Sequence, residues 1–257
     1  MAKRTPANRL DCGGFRFHGS RLGGCMHGQV LALLGEIPPE MPETEESKSL
    51  EELFEAGHES EERTKVKILE AGIPLIHCSS ELEKQLALKV EWFDEKLGYN
   101  MLITAHPDGV LDVGAQAFNP LAWMAAGYGF HEKTDMADFQ KLTPLTAFEH
   151  KYFLWKSWDN FALGGLEEFE QYRVQLGIQS EGLRQKFQLD YSPSVVFSVE
   201  RNLNKGQAAK IILPLPVPPV SFADLQARCR EIAEMVLHGW VPPCTKPKWC
   251  EYLRGSV

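Results

Sequence analysis

Two short stretches carry residue types that could act together on a phosphate ester: Pro107-Asp108 and Glu149-His150-Lys151. An acidic residue, one spacer and a lysine on a strand put carboxylate and ammonium on the same face, because strand side chains alternate with period two. A second carboxylate at a neighbouring strand end can share a divalent cation with the first. Hard oxygen ligands of this kind suit Mg²⁺ or Mn²⁺, which keep several waters and accept phosphate oxygens. The lysine can hold the attacking water and stabilise charge developing on phosphorus. Together these groups are the equipment for hydrolysing a phosphodiester.

The acid-x-lysine pattern occurs three times, at Glu46-Ser47-Lys48, Asp94-Glu95-Lys96 and Glu149-His150-Lys151. The first falls in an acidic, proline-broken stretch, and the second precedes Pro107-Asp108 in the chain. Only the third sits on an apolar strand pattern with a Pro-Asp turn upstream. The competing reading of that tripeptide is a surface ion pair on a strand edge.

The elements that must position these residues are legible as patterns. Residues 1–28 read as Gly-rich and irregular, and Gln29–Leu34 as a short apolar helix. A helix is expected from Ser49 to Ala71-Gly72, with Ser49 and Glu52 as a capping box. Strands are expected at Ile73–His77, Val90–Phe93 and Asn100–Ala105, the last leading into the turn His106-Pro107-Asp108-Gly109. Residues 115–143 read as a partly helical insertion, Thr146–Phe153 as a strand and Leu166–Phe187 as one long helix. Ser194–Val199 and Lys210–Leu213 pattern as a hairpin around Asn202–Gly206. Pro214–Pro219 reads as a connector to a last helix, Phe222–His238. The expected fold is a single α/β domain with a mixed central sheet flanked by helices. Its arm and acidic linker would occupy 1–48, its catalytic core 49–213, and its last helix and cysteine-bearing tail 214–257.

With Pro107-Asp108 and Glu149-His150-Lys151 placed, the chain resembles the PD-(D/E)XK nuclease superfamily, specifically its RecB-like exonuclease branch. Further segments agree in order. Ser20-Arg21-Leu22-Gly23-Gly24-Cys25 resembles that branch's amino-terminal segment, and Gly57-His58-Glu59-Ser60-Glu61 its metal-ligand helix. Tyr172-Arg173-Val174-Gln175 resembles the helix after the lysine strand, and Ser194–Gly206 the following hairpin. The resemblance implies a restriction-endonuclease-like core in which Asp108 and Glu149 bind Mg²⁺ or Mn²⁺, with the His150 backbone carbonyl as a further ligand. Glu61 would complete the shell directly or through water, with Glu62 as its rival. Lys151 would position the nucleophilic water, and Gln175 would orient substrate or Lys151. The implied partner is DNA, at ends or as single strands, in recombination, repair or phage genome processing.

Some positions depart from that pattern. His27 stands where the branch usually has arginine, and about forty residues separate Asp108 from Glu149. The insertion between them holds Phe118, Trp123, Tyr128, Phe130 and Phe139, which would either stack unpaired bases or pack as a helical cap. Some RecB-like nucleases hold a [4Fe–4S] cluster, and Cys25, Cys244 and Cys250 resemble its layout. Pro247 and Ser256 stand where further cysteines would fall, so a fourth thiolate would have to come from Cys12 or Cys229. The alternative is a degenerate site of buried thiols.

Composition narrows the remaining classes. The formal net charge is −8, but the segment Glu36–Glu62 holds eleven glutamates against one lysine, and outside it basic and acidic residues nearly balance. Global acidity therefore does not exclude a nucleic-acid partner. No apolar run is long enough for a membrane span, and the amino terminus shows no secretory pattern, so an intracellular, cytoplasmic protein is expected. Six cysteines are too sparse for a disulfide scaffold, and no zinc, P-loop, dinucleotide or nucleophile-elbow motif is present. A homo-oligomer stays open. The expectation is a Mg²⁺- or Mn²⁺-dependent deoxyribonuclease, with a non-catalytic DNA-end-binding protein or an iron–sulfur protein as alternatives.

Overall fold

The computed structural model describes residues 9–10, 13–36, 45–79, 84–114, 129–130, 136–153, 155–201, 211–217 and 220–244. Cys12, Cys250, the Asn202–Gly206 turn, Ser256 and most of the expected 115–143 insertion lie outside them. Within the insertion, β7 (Gly129–Phe130) and a 3-10 turn at Met136–Lys141 are described.

The chain is α/β, with helices flanking mixed sheets. In place of one central sheet, the strands form two. The first is ordered β1-β2-β5-β4, from β1 (Arg9–Leu10), β2 (Gly14–His18), β4 (Leu88–Asp94) and β5 (Tyr99–Ala105). The second is ordered β3-β6-β8-β9-β10-β7, adding β3 (Leu75–Ile76), β6 (Gly109–Asp112), β8 (Leu145–Phe153), β9 (Ser194–Arg201) and β10 (Ile211–Val217). The chain passes from the first sheet to the second through Ala105-His106-Pro107-Asp108, so the Pro-Asp turn is the hinge of the architecture. β8 lies between β6, antiparallel to it, and β9, parallel to it.

The helices are α1 (Gly19–Leu22), α2 (Met26–Leu34), α3 (Glu45–Glu70), α4 (Trp155–Gly164), α5 (Glu170–Lys186) and α6 (Phe222–Leu237). Helix α5 packs on β4 and β5 of one sheet and on β8 and β9 of the other, so it joins the two. Three apolar clusters follow from this. One gathers Phe15, Ile103, Ile178 and Ile232 between the first sheet and helices α2, α5 and α6. A second joins Phe153, Phe161, Leu176 and Phe197 between the second sheet and α4 and α5. The third sets Ile68 of α3 against Leu111, Phe148 and Val196 on the opposite face of that sheet.

Several expected boundaries are corrected. The Gly-rich amino-terminal region is ordered where β2 pairs in parallel with β5, Phe15 opposite Met101. Glycine is required at Gly23, where a Cβ would fall 2.3 Å from the Gln171 Cα, and its absence lets the segment after α1 lie on α5. Helix α3 begins at Glu45, so Ser49 lies inside it rather than capping it. The expected Leu166–Phe187 helix is interrupted. Gly165, at φ 72°, ends α4 and opens a 3-10 turn to Glu168, and α5 restarts at Glu170. Pro214 and Pro216 belong to β10 rather than to a connector, with a register shift between Ile212 and Leu215. A bulge is where a strand tolerates a residue that cannot donate. The last helix is as expected, its N-cap Ser221 Oγ accepting the Asp224 N–H at 3.2 Å.

Candidate active site

The residues of β8 divide between two faces. Glu149 and Lys151 turn toward α5, while Phe148 and His150 turn toward α3, as period-two alternation requires. The Lys151 ammonium donates to Glu149 Oε1, and its Nζ lies 5.9 Å from the centre of the Tyr172 ring. From α5, Gln175 Nε2 donates to the same Glu149 oxygen at 2.7 Å. Gln179, one turn further on, donates from Nε2 to Glu149 Oε2 at 2.5 Å. Three side chains, one from the strand and two from the helix, thus converge on a single buried carboxylate.

Asp108 joins them from the turn before β6. Its Oδ2 accepts the backbone N–H of His150 at 2.7 Å. Burial and the nearby Glu149 charge push the Asp108 carboxyl up to about 7. Burial works against the Lys151 ammonium, but Glu149 and Asp108 more than offset it and hold the group above its ordinary range. Lys151 is therefore a fixed positive charge at neutral pH.

Helix α3 supplies the third side. Glu61 turns inward, its side chain 18% exposed against 47% for Glu62, and it accepts from the Lys65 ammonium. Burial and the Asp108 charge raise the Glu61 carboxyl, which ties it electrostatically to the same cluster. The inward face of α3 is largely polar: Ser60, Thr64 and Lys65 are buried beside Ile68, while Phe54 is 63% exposed. Helical spacing sets Phe54, Gly57, Glu61 and Ile68 on one face; Ile68 packs and Glu61 turns inward, but Phe54 does not pack.

His150 contributes its backbone to the site and its side chain to the opposite layer. Ser60 donates its hydroxyl hydrogen to Glu200, so its oxygen takes the hydrogen from His150 Nε2, 2.9 Å away. His150 Nδ1 is then left to accept from Ser198 Oγ at 2.6 Å. Arg63 closes the chain on Glu200 at 3.2 Å. Burial first, then the positive charge of Lys151, push the imidazole down to about 3, so it is neutral. This network pins α3 to β8 and β9, and so fixes where Glu61 enters.

Of the other two acid-x-lysine tripeptides, Asp94-Glu95-Lys96 is engaged elsewhere: Asp94 caps the turn at Lys96 and Leu97 and is bound by Arg230 at 2.9 Å. Glu46 and Lys48 fall at the start of α3.

The donor chemistry of Asp108, Glu149, Glu61 and the His150 carbonyl fits a hard divalent cation, since all are oxygens. The crowding that raises Asp108 is relieved by added positive charge. As they stand, no three His, Cys, Asp or Glu among the described residues are gathered to hold an ion. Glu149 gives both oxygens to Lys151, Gln175 and Gln179, and Glu61 is turned to Lys65.

The cysteines are brought together in part. Cys25 Sγ and Cys244 Sγ lie 3.5 Å apart, and His27 Nδ1 meets the Pro242 carbonyl oxygen at 2.8 Å, joining the start of α2 to the segment after α6. Cys229 is buried in the first apolar cluster, and burial pushes its thiol up, against the thiolate a cluster needs. Cys250 falls outside the described residues.

Two members of the site escaped the sequence reading. Gln179 carried a signal, four residues after Gln175 and so on the same helix face. Lys65 carried one too, four residues after Glu61, though an ordinary exposed helical pair has the same spacing. No helix among the described residues is long and apolar enough to cross a membrane. No protein-family model matches the chain, and no curated protein matches it, so its function rests on the chemistry of the site itself.

Proposed function

We propose that this chain is a Mg²⁺- or Mn²⁺-dependent DNA nuclease of the PD-(D/E)XK type, acting as an exonuclease of the RecB-like kind. One observation carries the reading: Asp108, Glu149, Lys151 and Gln175 converge from a turn, a strand and a helix on one partly buried site. Each role follows from position. Asp108 and Glu149 would hold the cation, which when bound would supply charge stabilisation for hydrolysis of the phosphodiester. Lys151, fixed as a cation two residues from Glu149, orients the attacking water and meets charge on the phosphate. Gln175 and Gln179 keep Glu149 in one rotamer, so the carboxylate does not have to be ordered at each turnover.

The test is digestion of end-labelled linear single- and double-stranded DNA with Mg²⁺, Mn²⁺ or EDTA. Degradation that needs the metal, with label released progressively from one end, is the expected result. Full activity in EDTA contradicts the reading.

A second reading, DNA-end binding without turnover, has one observation in its favour. Glu149 is fully engaged by protein donors, an arrangement that also suits a carboxylate with a purely structural job. DNA bound tightly and left intact under every metal condition would favour it.

A further inference from the structure

The first sheet buries one face and shows the other. Phe15 and Phe17 of β2, Val90 of β4 and Ile103 of β5 turn into the apolar cluster shared with helices α2, α5 and α6. Their chain neighbours Arg16, His18, Lys89 and Glu91 are exposed on the opposite face, as period-two alternation requires. Strand register joins some of them into a row: His18 is level with Thr104, and Thr104 with Lys89, so the row crosses β2, β5 and β4. Neighbouring strands lie about 4.8 Å apart, which sets His18 and Lys89 roughly 10 Å from each other. Thr104 Oγ1 and His18 Nδ1 are 3.4 Å apart. Arg16 stands on the same face, two residues before His18, and Glu91 lies one row further from the hinge, opposite Leu102.

This row lies at the end of the sheet that leads to the site. Strand β5 ends at Ala105, and the exposed His106 and then Pro107 carry the chain to Asp108. Four residues span at most about 14 Å, which bounds the separation of Thr104 and Asp108. Helix α1 reaches the same end. A Cβ on Gly19 would fall 3.0 Å from the Ala105 Cβ and 3.5 Å from Ile178 of α5, and one on Gly23 would fall 2.3 Å from the Gln171 Cα. Helix α1 therefore runs beside the stretch of α5 that carries Gln175, and its Arg21 is exposed. Other described basic residues, Arg184, Arg228 and Arg230 among them, pair with acids, whereas Arg16 and Lys89 have no acidic partner among the described residues. In a chain of net charge −8, exposed cations gathered at one sheet end are a local feature. Spaced cations with hydroxyl and imidazole groups between them complement the regularly spaced anions of a phosphate backbone.

We propose that this end of the first sheet holds the DNA strand as it enters the site: Arg16, Arg21 and Lys89 contact its phosphates, and the strand passes over Thr104 and His106 to Asp108. This rests on the nuclease reading above, because the site at Asp108 is where the strand is led. The three cations meet phosphates away from the bond that is cut, so they bind substrate and take no part in the hydrolytic step.

The experiment is fluorescence anisotropy of a short fluorescein-labelled DNA single strand titrated with the full-length chain in EDTA, at salt rising from about 50 to 200 mM. Arg16→Gln/Lys89→Gln is expected to bind about 10- to 50-fold more weakly than wild type, and to lower the slope of log K against log salt by roughly 1.4, as the loss of two single-strand phosphate contacts does. Lys67→Gln/Lys96→Gln removes the same charge from exposed positions on α3 and at the far end of the sheet, and is expected to keep the wild-type slope. An unchanged slope in the first pair, or an equal loss in the second, overturns the proposal. Lysine acetylation of wild type, read by mass spectrometry, needs no variant: bound DNA is expected to protect Lys89 and not Lys96, and equal modification of Lys89 with and without DNA contradicts the proposal. Wild type that cleaves DNA while Arg16→Gln/Lys89→Gln binds it as tightly sinks this inference alone. Wild type that binds DNA through Arg16 and Lys89 but is inert with both metals supports the surface and sinks the nuclease reading.

Discussion

The backbone N–H of His150 donates to Asp108 Oδ2 at 2.7 Å, so the residue between Glu149 and Lys151 holds the second carboxylate of the site in place. One peptide unit thereby ties the turn that leads out of β5 to the centre of β8. The bond needs no particular side chain at position 150, which frees that imidazole for the opposite layer.

Asp108 is placed for charge chemistry at a cost to stability. Its carboxyl is raised from 3.8 to about 7 in the fold, so its contribution to stability is complete below pH 4 and is lost as pH rises through 7. Asp108→Asn keeps an acceptor for the His150 N–H and removes that loss. In EDTA at pH 8 the variant is expected to be more stable than wild type by about 1–3 kcal/mol, less than the full shift implies because the carboxyl keeps some solvent contact. The gain should vanish near pH 4. Urea melts at the two pH values measure it, and the same variant should show no metal-dependent cleavage.

His150 works in the opposite direction. Its imidazole is lowered from 6.5 to about 3, so its contribution is present above pH 6.5 and is lost as pH falls toward 3. Between about pH 4 and 6.5 the slopes of Asp108 and His150 oppose each other, by roughly 1.4 kcal/mol per pH unit each. His150→Gln keeps polar contact with Ser60 and Ser198 and removes the titration. Its stability, followed by urea melts across this range, should fall less steeply with acid than that of wild type, by about that amount per unit.

Gln179 is expected to matter as much as Gln175. Its bond to Glu149 is buried and charge-assisted, a class worth about 1.5–3 kcal/mol. Gln179→Leu fills the same space and leaves Glu149 Oε2 without that donor. Single-turnover cleavage at saturating metal should fall roughly 10- to 100-fold, with the far-ultraviolet circular dichroism spectrum unchanged.

Gly23 tests the contact between the amino-terminal segment and α5. A Cβ there would meet the Gln171 backbone at 2.3 Å, and backbone cannot swing aside as a side chain end can. Gly23→Ala should cost at least about 2 kcal/mol in urea unfolding, far more than Gly13→Ala. That position has open space, so only its φ of 79° is strained.

The parts of the fold legible in sequence were those governed by local rules. Alternation along Thr146–Phe153 placed Glu149 and Lys151 on one face, and the last helix was expected from Phe222, where it begins. The rest depended on partners far away in the chain. β2 was hidden because its neighbouring glycines read as loop, while its pairing with β5 is set by residues some eighty positions later. The packed face of α3 was hidden because Ser60, Thr64 and Lys65 are polar, and they are buried only because His150, Glu200 and Glu61 meet them. Pro214 and Pro216 argued against a strand, which a register shift in β10 accommodates. In the site, Asp108, Glu149 and Lys151 were legible from type and spacing, and Gln175 from the family resemblance. Gln179 and Lys65 become distinctive only once the elements are packed.

The central claim is that Asp108, Glu149 and Lys151 form one metal-dependent hydrolytic site. Its most direct test is the single-turnover rate of cleavage of end-labelled DNA by wild type, Asp108→Asn and Lys151→Met, each first shown to fold and to bind the same DNA in EDTA. The account predicts cleavage by wild type with Mg²⁺ or Mn²⁺, none in EDTA, and a loss of about a thousandfold or more in both variants. Cleavage by either variant at the wild-type rate would contradict it, as would a folded, DNA-bound wild type that is inert with both metals.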